Sequence, residues 1–377
     1  MLPPPTSEPP QLAHLWQKPA FNDLVSCLQG LRLDLPVWNL DVSRSEVLKK
    51  QQQQQQQQQQ EAAASSTAHD RREIISFLSS VIKSSLAWLD TDDERGEVWE
   101  EASKRLSERC GRTAMGEVVR CWPFTSRDGS SDAFSLAIRE PPYAGDSAIG
   151  LKTWGSSYVL AQLLTQFGLG GPLRHLVSAS MAGGTSAAAP VEVLELGSGT
   201  GLLGLAAACI WRADVTLTDL PTIMPNLAHN AALNRPTVEA RGGRVEAAAL
   251  TWGGGHDEGD LDPRFLTAHH YQLVIVADPL YDDCHPALLA GTINEQLSLD
   301  ADACVLAMIP LRDETTKGLL GALRTELAGQ SSALVCIDES LVPGQDDWDD
   351  GADDDDESRR VGFWWGVFKR DRPVDDS

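Results

Sequence analysis

The string Val193–Gly204, VLELGSGTGLLG, lies between an apolar run that reads as a strand and one that reads as a helix. Glycine at 197, 199 and 201 permits positive φ, a tight turn and close approach of the backbone to a ligand. The ligand would then meet the N–H groups that a helix N-terminus leaves unsatisfied. Asp219, beyond the next apolar run, is spaced to accept hydrogen bonds from ribose hydroxyls; the bland alternative is a helix N-cap ahead of Leu220-Pro221. Asp278-Pro-Leu-Tyr281 directly follows the apolar run Leu273–Ala277. Functional groups of open parallel sheets gather past the carboxyl ends of strands. The bland alternative is that Asp278 and Tyr281 cap the following helix.

These residues need a scaffold, and the pattern supplies one. Strands are expected at Val191–Leu196, Val215–Thr218, Val245–Ala249, Leu273–Ala277 and Cys304–Ile309, with helices at Leu202–Trp211, Thr222–Leu233, Pro286–Leu297 and Glu314–Leu327. Such alternation implies a mostly parallel sheet with helices on both faces. Leu334–Ile337 and Gly362–Phe368 read as two final strands with no helix between them, hence an antiparallel edge hairpin. The acidic stretch Asp346–Glu357 between them reads as a solvated loop. Upstream, Phe134, Leu136 and Ile138 alternate as in a half-buried strand that Pro141-Pro142 ends. A helix over Tyr158–Phe167 follows, with Ser156 or Ser157 as its N-cap.

Residues 71–125 read as a small helical lobe. Ile74, Leu78, Val81, Ile82 and Leu86 share one face, and Val98, Trp99, Ala102 and Leu106 another, joined through Asp92 and Asp93. Residues 1–70 read as an unstructured leader: low in hydrophobicity, biased in composition, and carrying the glutamine tract Gln51–Gln60. Leu31–Leu40 is the more apolar stretch within it. The remainder, 130–377, is expected to be the catalytic domain.

The chain has 377 residues, 42% of them hydrophobic and 23% charged. Its formal net charge is −23, from 54 acids against 31 bases. That field argues against direct contact with nucleic acid, which needs a basic footprint, and suits a basic protein partner. No apolar run approaches the ~20 residues of a membrane span, and the start MLPPPTSEPPQ has no basic or apolar signal region. The seven cysteines are scattered and form no CxxC pair, so neither a disulfide framework nor a zinc site is expected. The expected compartment is the cytoplasm.

Gly199-x-Gly201-x-x-Gly204 also fits the dinucleotide fingerprint, which would make the chain an NAD-dependent oxidoreductase. Three features favour S-adenosyl-L-methionine instead. Glu195 precedes the first glycine by two residues, where an acid can serve the ammonium of an amino-acid ligand. The string ELGSGTG resembles the glycine loop of class I methyltransferases, and the closing strand pair suits their seven-strand sheet.

Four segments, GLKTWGSSYVLAQLL, VLELGSGTGLLGLAAA, VTLTDLP with LTWGG, and VIVADPLY, resemble the seven-strand protein-lysine methyltransferases, most closely fungal members acting on elongation factors. The string KRLSERCGRTAM is similar to the N-terminal extension of fungal enzymes that modify elongation factor 2. The resemblance implies a Rossmann-like α/β fold: a seven-strand class I methyltransferase sheet, parallel with an antiparallel C-terminal hairpin. It implies that Trp154 packs beside the cofactor, Gly197, Ser198 and Gly199 form the loop under it, Asp219 holds the ribose, Trp252 flanks the adenine and Ala277 lies against the cofactor with its backbone. The bland reading of either tryptophan alone is packing. Asp278 and Tyr281 match the family's D-x-x-Y motif and become the catalytic pair.

Methyl transfer from a sulfonium is a direct displacement, so the lysine amine must be neutral, in line and close. Asp278 would orient it by hydrogen bonding rather than act as a simple base, and Tyr281 would line the lysine channel. DPLY also stands one residue from the DPPY and NPPY motifs of amino-methyltransferases acting on nucleic acid or small molecules, with Leu280 where those have proline. That reading and a catalytically silent binding module remain the alternatives.

Overall fold

The computed structural model describes residues 12–13, 15–32, 67–109, 116–124, 133–142, 146–181, 189–253, 262–345 and 360–371. The glutamine tract, residues 33–40 and the acidic stretch 346–357 lie outside them. The chain divides into two compact units that part at Val118/Val119.

The first unit contains helices α1 (Phe21–Gly30), α2 (Thr67–Lys83) and α3 (Asp92–Ser107) around Leu24, Leu28, Leu78, Val81, Val98 and Ala102. Helix α1 corrects the reading of an unstructured leader over its own length, because Leu24 and Leu28 bury at four-residue spacing. Asp92 and Asp93 are not a connection but the first turn of α3, where carboxylates complement the helix dipole. The helix starts at a capping box: Thr91 Oγ1 accepts from Glu94 N–H at 3.1 Å, and Glu94 Oε2 accepts from Thr91 N–H at 3.3 Å. Leu86 is buried, but from a turn at φ 47° rather than from α2.

In the second unit, strands β1 (Val118–Phe124) and β2 (Phe134–Glu140) form a two-stranded sheet. Helices α4 (Gly155–Leu169) and α5 (Arg174–Met181) follow. Then come β3 (Glu192–Leu196), α6 (Leu202–Trp211), β4 (Asp214–Asp219), α7 (Met224–Ala240), β5 (Arg244–Ala249), β6 (Leu273–Ala277), α8 (His285–Gln296), β7 (Cys304–Leu311), α9 (Glu314–Ala328), β8 (Leu334–Gln345) and β9 (Arg360–Arg370). The sheet order is β5-β4-β3-β6-β7-β9-β8. Pairings from β5 to β7 are parallel, whereas β9 runs antiparallel to both β7 and β8. This is the Rossmann-like seven-strand sheet of class I methyltransferases, with β9 inserted inside the edge strand β8. The central β6, LVIVA, is apolar throughout because helices cover both faces.

Strand β1 corrects the helical reading of residues 118–124. Its buried positions are Val118, Arg120, Trp122 and Phe124, and Arg120 hides the alternation. The arginine is tolerated inside because Glu140 Oε2 lies 3.5 Å from its Nε, both side chains being almost fully buried. Helix α4 starts at Trp154 as N-cap rather than at a serine, and Ser156 is buried in its first turn. Helix α7 runs past Pro236, where the sequence suggested an end at Leu233. It continues because its inner face is needed as a surrogate strand. Asn230 Oδ1 accepts from Arg139 N–H at 2.9 Å and Asn234 Oδ1 from Ala137 N–H at 2.8 Å, while their amide nitrogens donate back to Arg139 O and Ala137 O. Asparagines four apart on the helix thus match alternate residues of β2. Among the described residues no helix is long and apolar enough to cross a membrane.

Candidate active site

The turn after β3 places Gly197, Gly199 and Gly201 at φ 66°, 56° and 87°. At such angles an L side chain is strained. The turn is tied from within. Ser198 N–H donates to Thr218 O at 2.8 Å and Gly201 N–H to Ser198 O at 2.8 Å. Gly199 N–H donates to Asp219 Oδ2 at 2.7 Å. The other carboxylate oxygen, Oδ1, accepts from Leu220 N–H at 2.7 Å. Burial raises the Asp219 carboxyl above its ordinary value, and the two backbone donors oppose that rise.

Glu195 does not face the ligand side. It is buried beneath α6, where Oε2 accepts from Gly204 N–H at 3.1 Å. Burial pushes its carboxyl up to about 8. The suggested contact with a ligand ammonium gives way to a structural role.

A cavity of about 390 Å³ opens beyond the strand ends. Trp154, Gly197, Ser198, Gly199, Asp219, Trp252, Ala277, Asp278 and Tyr281 all line it. Trp252 lies against the turn: a Cβ added to Gly197 would stand 3.1 Å from its ring. Trp154 is held by its indole N–H, which donates to Ile149 O at 3.0 Å. Thr153 Oγ1 and Thr200 Oγ1 share a 2.8 Å hydrogen bond, tying the segment before α4 to the glycine turn.

Asp278 stands at φ 56° just past β6, its N–H donating to Met308 O at 2.9 Å. The side chain is only 8% exposed and is gripped by Arg312: Nη1 donates to Oδ1 at 2.9 Å and Nη2 to Oδ2. The Arg312 guanidinium also lies 5.5 Å from the Trp154 ring centre, and Lys152 Nζ 5.0 Å from it. Sequence reading missed Arg312, Lys152 and His285. The His285 ring meets Tyr281 edge-on at 4.2 Å and Trp252 at 5.6 Å. Its Nδ1 is 2.9 Å from Pro279 O, and because a carbonyl only accepts, Nδ1 carries the proton. The one available signal for His285 is its place four residues after Tyr281.

The donor set discriminates between ligands. The N–H groups of Ser198, Gly199, Gly201 and Gly204 already have acceptors inside the protein, and the turn adjoins two acids. A pyrophosphate needs free N–H groups and a positive surround, so a dinucleotide fits poorly. A ribose diol beside Asp219 and a flat base on Trp252 fit the residues present. Among the described residues no cluster of His, Cys, Asp and Glu is placed to hold a metal ion.

Comparison with known proteins agrees with this geometry. The chain is 34% identical over 261 residues to the Saccharomyces cerevisiae protein-lysine N-methyltransferase EFM2, covering 67% of this chain and 56% of that protein. It is 28% identical over 246 residues to Schizosaccharomyces pombe protein-lysine N-methyltransferase rrg1, covering 65% of this chain and 72% of that one. The Mus musculus EEF1A lysine methyltransferase 3 matches at 37% over 103 residues, 27% of this chain and 39% of its own length. The chain therefore spans little more than half of the budding-yeast relative. Residues 131–325, just over half of the 377, match the family described as lysine methyltransferase, and the chain belongs to that family.

Proposed function

We propose that this protein is an S-adenosyl-L-methionine-dependent protein-lysine N-methyltransferase of the cytoplasm, acting on a translation elongation factor, with elongation factor 2 the favoured substrate. The observation that carries the reading is the convergence of the glycine turn, Asp219, both indoles and Asp278 on one cavity whose loop N–H groups are already engaged. Trp154, Gly197, Ser198, Gly199, Asp219, Trp252 and Ala277 hold the cofactor, which supplies the methyl group when bound. Asp278 orients the lysine amine as a hydrogen-bond acceptor, and the exposed Tyr281 ring lines the channel by which the side chain enters. A free lysine has a pKa of about 10.4, so the apolar walls of the channel must favour the neutral amine. The elongation-factor substrate draws support from the relative named for EEF1A. The net charge of −23 disfavours a nucleic-acid substrate.

Titration calorimetry with S-adenosylmethionine and with NAD tests the cofactor. Saturable S-adenosylmethionine binding is expected, and NAD binding alone would overturn the reading. Mass spectrometry of elongation factor 2 from cells with and without the gene tests the substrate. Loss of a methylated lysine is expected, and an unchanged methylation map removes that substrate. Methyl label entering RNA but not protein would hand the site to nucleic-acid chemistry.

A further inference from the structure

Asp278 is the first residue past β6, and Arg312 the first past β7, its parallel neighbour. Asp313, next in sequence, accepts from Thr316 N–H at 2.8 Å and caps α9, which fixes the backbone from which Arg312 reaches back. The guanidinium meets both carboxylate oxygens of Asp278 and rests against Trp154. This is a fork-on-fork pair, the geometry in which arginine binds a carboxylate most firmly. It lies beside the cavity that Asp278 and Trp154 line.

The pair answers a difficulty in the chemistry. A bare carboxylate within ~4–6 Å of a lysine favours the ammonium, raising its pKa by about 1–3 units. An ammonium has no lone pair with which to attack. On the reading that this site methylates lysine, we propose that Arg312 is a positioning residue: it neutralises and fixes Asp278, so that the carboxylate accepts a hydrogen bond from the neutral amine without trapping the ammonium.

The ammonium proton leaves to water before the transfer. The nitrogen lone pair then forms the N–C bond while the S–C bond breaks and its electron pair stays on sulfur. The product nitrogen is a methylated ammonium. Other charged or titratable groups face the same region. Lys152, against the same indole, acts in the same sense as Arg312. Among the described residues Asp219 and Asp282 oppose it, and Tyr281, Cys284, His285 and Asp313 also face the region.

The test is the pH profile of kcat at saturating S-adenosylmethionine and recombinant elongation factor 2, which reports the amine in the bound complex, run on the full chain from about pH 6.5 to 10. Wild type, Arg312→Met and Arg312→Lys are compared, with the S-adenosylmethionine Kd and the melting temperature measured on each. Arg312→Gln takes the place of the methionine variant if that one does not fold. Removal of the charge should move the rising limb up by about 1 pH unit. The loss at neutral pH is then about tenfold and shrinks towards pH 10. Arg312→Lys should keep the limb in place at a reduced plateau. In an Asp278→Asn background Arg312→Met should move nothing. An unmoved limb with the same loss at every pH overturns the proposal, as does a Kd that rises in step with the loss. If wild type neither binds S-adenosylmethionine nor labels the factor, the functional reading itself falls; an active wild type with an unmoved limb sinks Arg312 alone.

Discussion

Replacing Asn230 by leucine should cost more stability than any other single change on the inner face of α7. The side chain is fully buried and makes three hydrogen bonds: Oδ1 accepts from Arg139 N–H at 2.9 Å, and Nδ2 donates to Arg139 O at 3.0 Å and to Thr200 O at 2.9 Å. Leucine has nearly the same shape and no polar atom. Arg139 O keeps the donor that Asn226 supplies at 3.2 Å, but Arg139 N–H and Thr200 O lose theirs. Each buried group so deprived costs about 1–3 kcal/mol. The added apolar burial returns about 1–2 kcal/mol, which leaves a net loss centred on about 2.5 kcal/mol within a range of roughly 0–5 kcal/mol. Equilibrium urea unfolding measures it, with Asn226→Ala as control: there Arg139 O retains Asn230, and about 1 kcal/mol is expected. Because Thr200 belongs to the glycine turn, S-adenosylmethionine affinity should fall as well. A loss for Asn230→Leu no greater than the control would refute the view that α7 serves β2 as a hydrogen-bonding edge.

Three further outcomes follow from the site. Glu195, raised by burial from 4.5 to about 8, holds its proton more tightly when folded. Its contribution is fully present below about pH 4.5 and is lost as pH rises towards 8, so wild type should lose stability relative to Glu195→Gln across that window, by on the order of 1 kcal/mol per pH unit; parallel melting curves for the two proteins would contradict this. Gly204→Ala would set a Cβ 2.5 Å from Glu195 Oε2 and into the Leu217 side chain, and thermal melts should register about 1–3 kcal/mol of overpacking. Asp219→Ala should weaken S-adenosylmethionine binding about tenfold or more by calorimetry, since it removes a charged acceptor; an unaltered Kd would remove the ribose role.

The ends of β6 and α6 match the sequence reading residue for residue, because each is an apolar run bounded by residues that break it. The glycine turn was legible for a similar reason: three positive-φ positions in five residues leave few other sequences for that backbone. What escaped depends on partners far along the chain. Residues 118–124 fall inside the expected helical lobe, because Arg120 interrupts the alternation of β1 and its counter-charge sits at Glu140 on β2. Asn226, Asn230 and Asn234 give no signal in the sequence, yet they lie on the buried side of α7, since β2 turns its backbone towards them. No local pattern distinguishes an asparagine that faces water from one that replaces a strand.

Arg312 shows the same limit at the site itself. Sequence identifies residues just past strand ends as candidates, but it does not say which strands are neighbours. The order β3-β6-β7 makes that choice. With Ala277 paired to Met308, the chain leaves β6 at Asp278 and leaves β7 at Arg312 at the same end of the sheet. Two residues separated by 34 positions thereby become one bidentate pair. Had β7 not lain next to β6, Asp278 would need another cation to stand against the ammonium it must not trap. The parallel arrangement that buries LVIVA is thus also what brings a guanidinium to the carboxylate.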